Sequence, residues 1–371
     1  MTNSGFQQQV AFANETAYGS QATVDQAVGL IQSVNPTETN NLIKIRTMGG
    51  SRDYNNIVPG KFEVSGSMDY YLQGGAFLRM AFGEDSATSA TPDSGPRTHA
   101  TTASSTAYVH VMGSAATLQA DCFPSFTLEF ADDEGSACLV GASAGDYNLN
   151  RTYTGCRVNS LSISASVDEP VMVTADWIAQ GVIVSSAGAT SITQDTKDPY
   201  VFYQGAVYST SGAIAYDTAI ESASQLAEVN TLDFSINNNL EAIWYISGTT
   251  SVTQTKRGLK ALIVKGREYE ANLNLNFKDK TMYQRFLGAS GATGPQDTLG
   301  EYTIVLDFVR NGVIGATPAV TDDYMRIVLS GCKFNDTNIA GAPEDIVQQS
   351  LGVFVESAKT YIVDNDSTYT G

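Results

Sequence analysis

The stretch TGCRVN at residues 154–159 returns as SGCKFN at 330–335, with Gly, Cys, a base, an apolar residue and Asn in the same order. The surroundings return with it. Phe126 in SFTLEF precedes Gly155 by the same interval at which Tyr302 in EYTIVLDF precedes Gly331. GKFEVSGSMDYYLQGGAFLRMAFG (60–83) is echoed by GREYEANLNLNFKDKTMYQRFLG (266–288), and NNL at 40–42 by NNL at 238–240. The offset between copies falls from about 205 to 176 between Gly83 and Phe126, which places one insertion in the first copy. Self-similarity over so long a period constrains the fold more than any local pattern. It predicts two tandem domains, 1–185 and 199–371, joined by a linker at 186–198. The 371 residues are enough for each to bury its own core.

Within each copy the dominant period is two. Phe62, Val64, Met68 and Tyr70 alternate with Lys61, Glu63, Ser65, Ser67 and Asp69. Tyr269, Leu273, Leu275 and Phe277 alternate with Glu268, Glu270, Asn272, Asn274 and Asn276. Leu232, Phe234 and Ile236 alternate likewise, and Ser160, Ser162, Ser164 and Ser166 share one face of a further segment. Such alternation marks strands with one buried and one wet face. Each long strand precedes a short helix. In the second copy Asp279 is placed to cap it, Met282, Tyr283, Phe286 and Leu287 recur at helical spacing, and Gly288 closes it. In the first copy Phe77, Leu78, Met80, Phe82 and Gly83 repeat the device. The expected class is mainly β, two tandem β-sandwich or β-barrel domains, each with a short flanking α-helix.

Two stretches read as loose. EDSATSATPDSGPRTHATTASSTA (84–107), the insertion, is too polar and small-residued to bury much and reads as an exposed loop or flap. SSAGATSITQDTKDP (185–199) supplies the linker. No N-terminal apolar run resembles a signal peptide, and no segment approaches the ~20 apolar residues that span a bilayer. The expectation is a protein without membrane contact.

Reactive chemistry is missing from the pattern. The two histidines, His99 and His110, have no partner at a recognisable spacing. No phosphate-cradling Gly loop, GxSxG elbow or HExxH occurs. The carboxylates of ADDEG (131–135) read as a turn at a strand end. Of four cysteines, Cys156 and Cys332 hold equivalent places in the repeat and read as buried apolar filler. Cys122 and Cys138 are free to pair, but nothing requires it. No catalytic residue, no metal site and no cofactor is expected. The net charge of −18 argues against wrapping nucleic acid. It fits a surface that repels phosphate, and it also fits adaptation to salt or an ordinary acidic exterior.

Three stretches resemble the tail tube proteins of tailed bacterial and archaeal viruses: FANETAYGSQAT (12–23), VPGKFEVSGSMDYYLQGGAFLRMAFG (58–83), and VNTLDFSINNNLEA together with GREYEANLNLNFKDKTMYQRFLG, with NSLSISASVDEPVMVTADW between. The resemblance implies a β-sandwich whose inner sheet joins its neighbours into a barrel around a lumen, through which a tape measure protein and then genomic DNA pass. This chain departs from the common single-domain form by its duplication. Six tube domains per ring, two per chain, imply a trimeric ring with pseudo-sixfold symmetry, stacked in the virion tail and assembled in the host cytoplasm. The partners implied are the chain itself, the tape measure, a tail terminator and the baseplate or distal tail proteins, with DNA passing unbound.

On that reading the wet faces become lumen candidates: Glu63, Ser65, Ser67, Asp69, Glu268, Glu270, Asn272, Asn274 and Asn276. The bases cluster elsewhere. Lys44, Arg46, Arg52 and Lys61 lie in one stretch, and Lys256, Arg257, Lys260, Lys265 and Arg267 in its counterpart. Lys44, Arg46, Arg52, Lys256, Arg257 and Lys260 are the candidates for contacts between rings. The rival readings are another β-rich virion surface, decoration or adhesion protein that binds a receptor or glycan, and an enzyme on a β-sandwich.

Overall fold

The computed structural model describes residues 8–48, 52–83, 108–113, 123–132, 149–185, 189–192, 197–210, 214–215, 220, 225–226, 228–246, 256–310, 324–343 and 345–364. The first half comprises β1 (Gln8–Asn14), β2 (Gln26–Ala27), β3 (Leu30–Thr39), β4 (Ile43–Ile45), β5 (Asn56–Val58), β6 (Glu63–Tyr71), α1 (Arg79–Phe82), β7 (Tyr108–Gly113), β8 (Phe126–Asp132), β9 (Leu149–Ser166), β10 (Met172–Ala179) and β11 (Gly181–Ser185). The second comprises β12 (Gly205–Thr210), β13 (Val229–Asn237), β14 (Glu241–Ile243), β15 (Ala261–Ile263), β16 (Glu268–Asn276), α2 (Thr281–Phe286), β17 (Tyr302–Val309), β18 (Tyr324–Ala340), β19 (Gln348–Val355) and β20 (Ser357–Asp364). Among the described residues the chain is thus mainly β with two short α-helices, and its sheets are open.

The strands form an inner layer and two outer ones. The inner sheet runs β18-β19-β16-β13-β9-β10-β6-β3, antiparallel throughout. One outer sheet joins β1, β8, the start of β9 and β11, with β2 beside β1. The other joins β12, β17, the start of β18, β20 and β7. Within the halves the same pairings recur: β1–β8 as β12–β17, β3–β6 as β13–β16, β4–β5 as β14–β15, β6–β10 as β16–β19. β9 meets β8, β10 and β11 as β18 meets β17, β19 and β20.

The repeated Gly-Cys motif marks where a long strand leaves one sheet for another. β9 pairs with β8 and β11 up to Cys156 and with β10 from Arg157 onward. β18 changes partners between Cys332 and Lys333. Gly155 (φ 63°) and Gly331 (φ 67°) occupy the left-handed region, which lets the strand kink and costs glycine no Cβ clash. A Cβ on Gly155 would stand 2.8 Å from Gln180 Cβ, and one on Gly331 would stand 2.6 Å from Glu356 Cβ. Those two residues turn β10 into β11 and β19 into β20, and their N–H groups donate to Thr154 O (2.9 Å) and Ser330 O (3.1 Å). Cys156 and Cys332, the next residues, are buried free thiols facing Phe126 and Tyr302. Burial raises both thiol pKa values, that of Cys332 to about 12, so neither is a ready nucleophile. Cys122 and Cys138 lie outside the described residues.

The core fills the space between the sheets. Phe12, Phe77 and Phe126 meet edge to face, and Phe130, Tyr153 and Trp177 form a second aromatic group. The main cluster continues without a break from the first half into the second, where Phe82 stacks on Phe234 and Phe234 on Tyr269. The alternating residues lie as their period requires: Val64, Met68, Tyr70, Leu232, Phe234, Ile236, Tyr269, Leu273 and Leu275 are buried. Phe277 is an exception. It lies past the end of β16 and is exposed.

Two local readings are refined. Asp279 accepts from Thr281 N (2.7 Å), but the helix opens at Thr281 with Lys280 as its cap position. Residues 84–107 lie outside the described residues, whereas 108–113 form β7, which crosses to the outer sheet of the second half and pairs with β20.

Candidate assembly surfaces

The wet face of the inner sheet carries Glu63, Asp69, Asp176, Asp233, Glu268, Glu270 and Asp336, together with rows of Ser, Thr and Asn. Two bases, Arg157 and Lys333, stand at one end of that sheet, opposite Ile178 and Phe354; the rest of its paired residues include no Lys or Arg. Neighbouring hydroxyls hold the carboxylates. Ser33 and Thr174 donate to the two oxygens of Asp69 (2.6 and 2.7 Å), and Ser160 donates to Asp176 (2.7 Å). Lys61 bonds Glu63 at 2.6 Å and, with Asn41, holds its carboxyl below the usual carboxylate range. Partial burial pushes Asp233 the other way, raising its pKa. Every residue named as a lumen candidate lies on this face. Ser65, Glu268, Glu270 and Asn272 are exposed, whereas Glu63, Ser67, Asp69, Asn274 and Asn276 are half-buried among their neighbours.

The two halves meet through a strand pair. β13 pairs with β9 over Thr231↔Ser166 to Asn237↔Ser160. Beyond the end of that ladder, Asn238 N donates to Asn159 O (2.8 Å) and Leu240 N to Asn159 Oδ1 (3.0 Å). Asn159 is the last residue of the repeated motif. Asn238, fully buried, donates from Nδ2 to Ala81 O (3.2 Å) and Val158 O (3.1 Å). Arg267 donates to Asn238 Oδ1 (2.8 Å) and Phe82 O (3.0 Å). These bonds satisfy carbonyls that the end of α1 would leave bare. Sequence reasoning did not find this junction; the repeated Asn at 159 and 335 and the repeated NNL at 40–42 and 238–240 were its visible traces.

The outer ends of the same sheet lack such partners. β3 pairs only with β6, and the inner part of β18 only with β19, among the described residues. Pro36 in β3 suits an edge strand because it has no N–H to offer a ladder.

At one end of the inner sheet, two ribbons, β4–β5 and β14–β15, follow turns in which Asn41 (φ 42°) and Asn239 (φ 48°) take the left-handed conformation. Leu42, Ile43, Ile45, Met48, Ile57, Tyr245, Ile246 and Ile263 are exposed there. Lys44, Arg46, Arg52 and Lys256 are exposed as well, with Arg46 4.4 Å above the Tyr54 ring. Not every base in these stretches is available. Arg257 donates to Gly60 O (2.6 Å) and Asn40 Oδ1 (2.8 Å), tying the ribbons of the two halves together. Lys61 lies 4.4 Å from the Trp244 ring, Lys260 is half-buried, and Lys265 pairs with Glu241 at 2.6 Å. At the opposite end Leu30, Val167, Phe277, Ile346 and Val347 are exposed beside Asp168, Glu169, Glu228 and Asp345, with Lys278 and Lys280 flanking Asp279.

No cluster among the described residues has the makings of a reactive centre. His110 is buried in β7 with Nε2 3.5 Å from Asp364, inside the outer sheet. His99 lies outside the described residues, as do residues 133–135 of the acidic ADDEG stretch, whose Asp132 ends β8. No three His, Cys, Asp or Glu come together as metal ligands, and no helix is long and apolar enough to cross a membrane, among the described residues. A cleft of about 280 Å³ between the halves is lined largely by apolar groups such as Phe202, Val207, Leu232 and Phe308, with Glu228 its one carboxylate.

No curated protein matches the sequence. The family model for the phage tail tube protein matches residues 5–353, nearly the whole chain. With its strand-built layers, its sheet edges unpaired among the described residues and its acidic, base-poor inner sheet, this chain belongs to the phage tail tube protein family, a structural component of the virion tail.

Proposed function

We propose that the chain is a fusion of two tube domains, 1–185 and 199–371 with 186–198 between them, and that three copies close a ring of pseudo-sixfold symmetry. The observation that carries this reading is the β9:β13 pair. Two four-stranded sheets are already joined edge to edge inside the chain, and the matching edges, β3 and β18, stand open at the ends. Unpaired edges of this length are hazards unless paired, and ring closure removes them. Three copies bring 24 inner strands. At ~4.8 Å per strand, this wall is about 37 Å across before strand tilt widens it. Two copies reach only about 24 Å before side chains fill the space.

In this ring the wet face lines the lumen. A phosphate chain then meets mainly carboxylates, hydroxyls and amides, with Arg157 and Lys333 at one end of the sheet only, so it finds little to release counterions against and slides. The tape measure occupies the same channel before DNA does, and the tail terminator and distal tail or baseplate proteins meet the two ends of the stack.

Rings stack head to tail, the basic ribbon end of one against the acidic end of the next. Stacking covers the exposed apolar residues at both ends. Each exposed ion pair contributes only ~0.2–1 kcal/mol, but the contact recurs in every ring. Reversing Lys44, Arg46 and Lys256 to Glu should leave rings intact and abolish tubes; tubes of normal length from that variant would end the stacking scheme. Electron microscopy of the purified chain tests the ring itself. Hollow rings or tubes with three chains per layer are expected, and a monodisperse monomer under all assembly conditions contradicts it.

A further inference from the structure

Resting on that ring reading, we infer that the contact between chains copies the contact inside the chain residue for residue, with Asn335 as the clasp. The in-chain junction supplies the template. Ser235 faces Ser162, Asp233 faces Ser164 and Asn237 faces Ser160. The β3–β6 and β13–β16 registers relate β3 to β13 by the same offset that separates the two NNL turns, because Thr39 faces Glu63 as Asn237 faces Glu268. The β9–β10 and β18–β19 registers relate β9 to β18 by the offset of the two Gly-Cys motifs, bulge included, because the shift at 158/160 recurs at 334/336. Carried to the open edges, these offsets set Thr37 of one chain opposite Asn338 of the next, Asn35 opposite Ala340 and Thr39 opposite Asp336.

The edges fit this register chemically, except that Pro36 stands where β13 has Phe234 and has no N–H to give Ile339, so the copied ladder is one bond short there. The register puts no like charges face to face, since Glu38 falls opposite Thr337 and Asp336 opposite Thr39. A slip of one residue would set Glu38 against Asp336 and turn each wet side chain toward the core face. The clasp is also waiting. Asn159 bonds Asn238 N and Leu240 N within the chain. Its counterpart Asn335 is exposed, and among the described residues it donates only to its neighbour Asp336. In the ring Asn335 receives the N–H groups of Asn40 and Leu42 from the next chain. Asn40 Oδ1 already accepts from Arg257, as Asn238 Oδ1 accepts from Arg267. Its Nδ2 is thereby aimed to donate to the last carbonyls of the neighbour's α2, as Asn238 does for α1.

The test uses the full chain with Cys122 and Cys138 replaced by Ser. Thr37→Cys with Asn338→Cys places two thiols directly opposite, where strand pairs hold Cβ atoms ~4.5–5.5 Å apart and a disulfide closes readily. Thr37→Cys with Asp336→Cys is offset along the strand to the next position on the same face and falls beyond disulfide reach. After mild oxidation, the first pair should give covalent trimers as the end product on a non-reducing gel, and the second at least several-fold less. Rings seen by microscopy without in-register linking, or with the shifted pair linking as fast, overturn the register and leave the ring reading intact. Failure of every variant, and of the parent, to form rings takes both down. As a second arm, Asn335→Ala should weaken ring assembly about tenfold, the worth of one well-made hydrogen bond, at unchanged melting temperature, whereas Asn159→Ala should lower the melting temperature. Assembly of Asn335→Ala at the parental concentration overturns the clasp.

Discussion

The two short helices hold equivalent positions and live in different surroundings. α1 is buried along its length: Arg79, Met80, Ala81 and Phe82 are all covered, Phe82 stacks on Phe234, and Asn238 and Arg267 bond its last carbonyls. α2 has no fully buried residue, and Tyr283 is 39% exposed. The sequences prefigure part of this, with Phe77, Leu78 and Met80 against Met282, Tyr283 and Arg285, but the larger cause is position. α1 abuts the second half of its own chain, whereas α2 packs on β18 and Ser209 of its own half with none of its residues fully covered. The same contrast separates β9, paired along both sides of its inner part, from β18, paired along one. One end of the device is finished within the chain; in the proposed ring a neighbour finishes the other.

The comparison can be broken by substitution. The largest effect is expected at Phe82. Phe82→Ala empties a buried aromatic site at the junction and should cost about 3–5 kcal/mol in denaturant unfolding. Leu287→Ala, at the equivalent place just past the end of α2 and half-buried, should cost about 1 kcal/mol in the isolated chain. Equal losses would mean that the two ends are not finished and unfinished versions of one arrangement. Next comes Asn238→Ala, which strips the carbonyls of α1 and leaves Arg267 short of an acceptor. About 1–3 kcal/mol should be lost, against almost nothing for Asn40→Ala before assembly.

The smallest effect sharpens the electrostatics of the wet face. Burial raises Asp233, so the folded chain binds its proton more readily than the unfolded chain does, and the carboxylate opposes folding once ionised. Asp233→Asn should therefore stabilise the chain at neutral pH, by no more than about 0.5 kcal/mol given its exposure to solvent. The gain should fade as pH drops through the raised pKa and vanish below the ordinary carboxylate range. Glu63 has the opposite sign: its bond to Lys61 stabilises above that range and is lost as pH falls through its lowered pKa. Melting curves of Asp233→Asn and its parent across acid pH would show a constant gap if Asp233 were not the titrating group.

Much of this fold was legible because alternation is the direct imprint of a sheet with one dry face. Val64, Met68, Leu232, Phe234, Leu273 and Leu275 are buried as their parity requires. The echo at Gly155 and Gly331 was also visible, but its reason was not. The bend depends on Gln180 and Glu356, which lie beyond the next strand in each half and touch the glycines only once that strand returns. Sequence spacing likewise does not show that residue 257 folds onto residues 40 and 60, so it counts Arg257 as a free base when the side chain is bonded within the chain.

Two further features escaped for related reasons. Asp307 and Arg326 form a buried bidentate pair at 2.6 and 2.7 Å in the second outer sheet. Burial alone would lower the arginine, but its bonds to Asp307 hold its pKa above the ordinary value. The first half has Ala131 and Asn150 at the equivalent positions, so the repeat gave no hint of the pair. β7 follows an insertion that looks featureless, and its partner β20 lies in the other half, close to the C-terminus. In each case what was hidden is a contact between distant segments, whereas what was readable is the periodicity of a single one.

Amide hydrogen exchange, compared between isolated chain and assembled tube, tests the central claim most directly. In the isolated chain, residues 30–39 and 333–340 should exchange faster than 229–237 and 160–166. On assembly the two outer segments should gain protection to the level of the inner pair, while the inner pair stays unchanged. Protection of β3 and β18 that does not change on assembly, or a gain confined to the outer sheets, would contradict edge-to-edge closure of the ring.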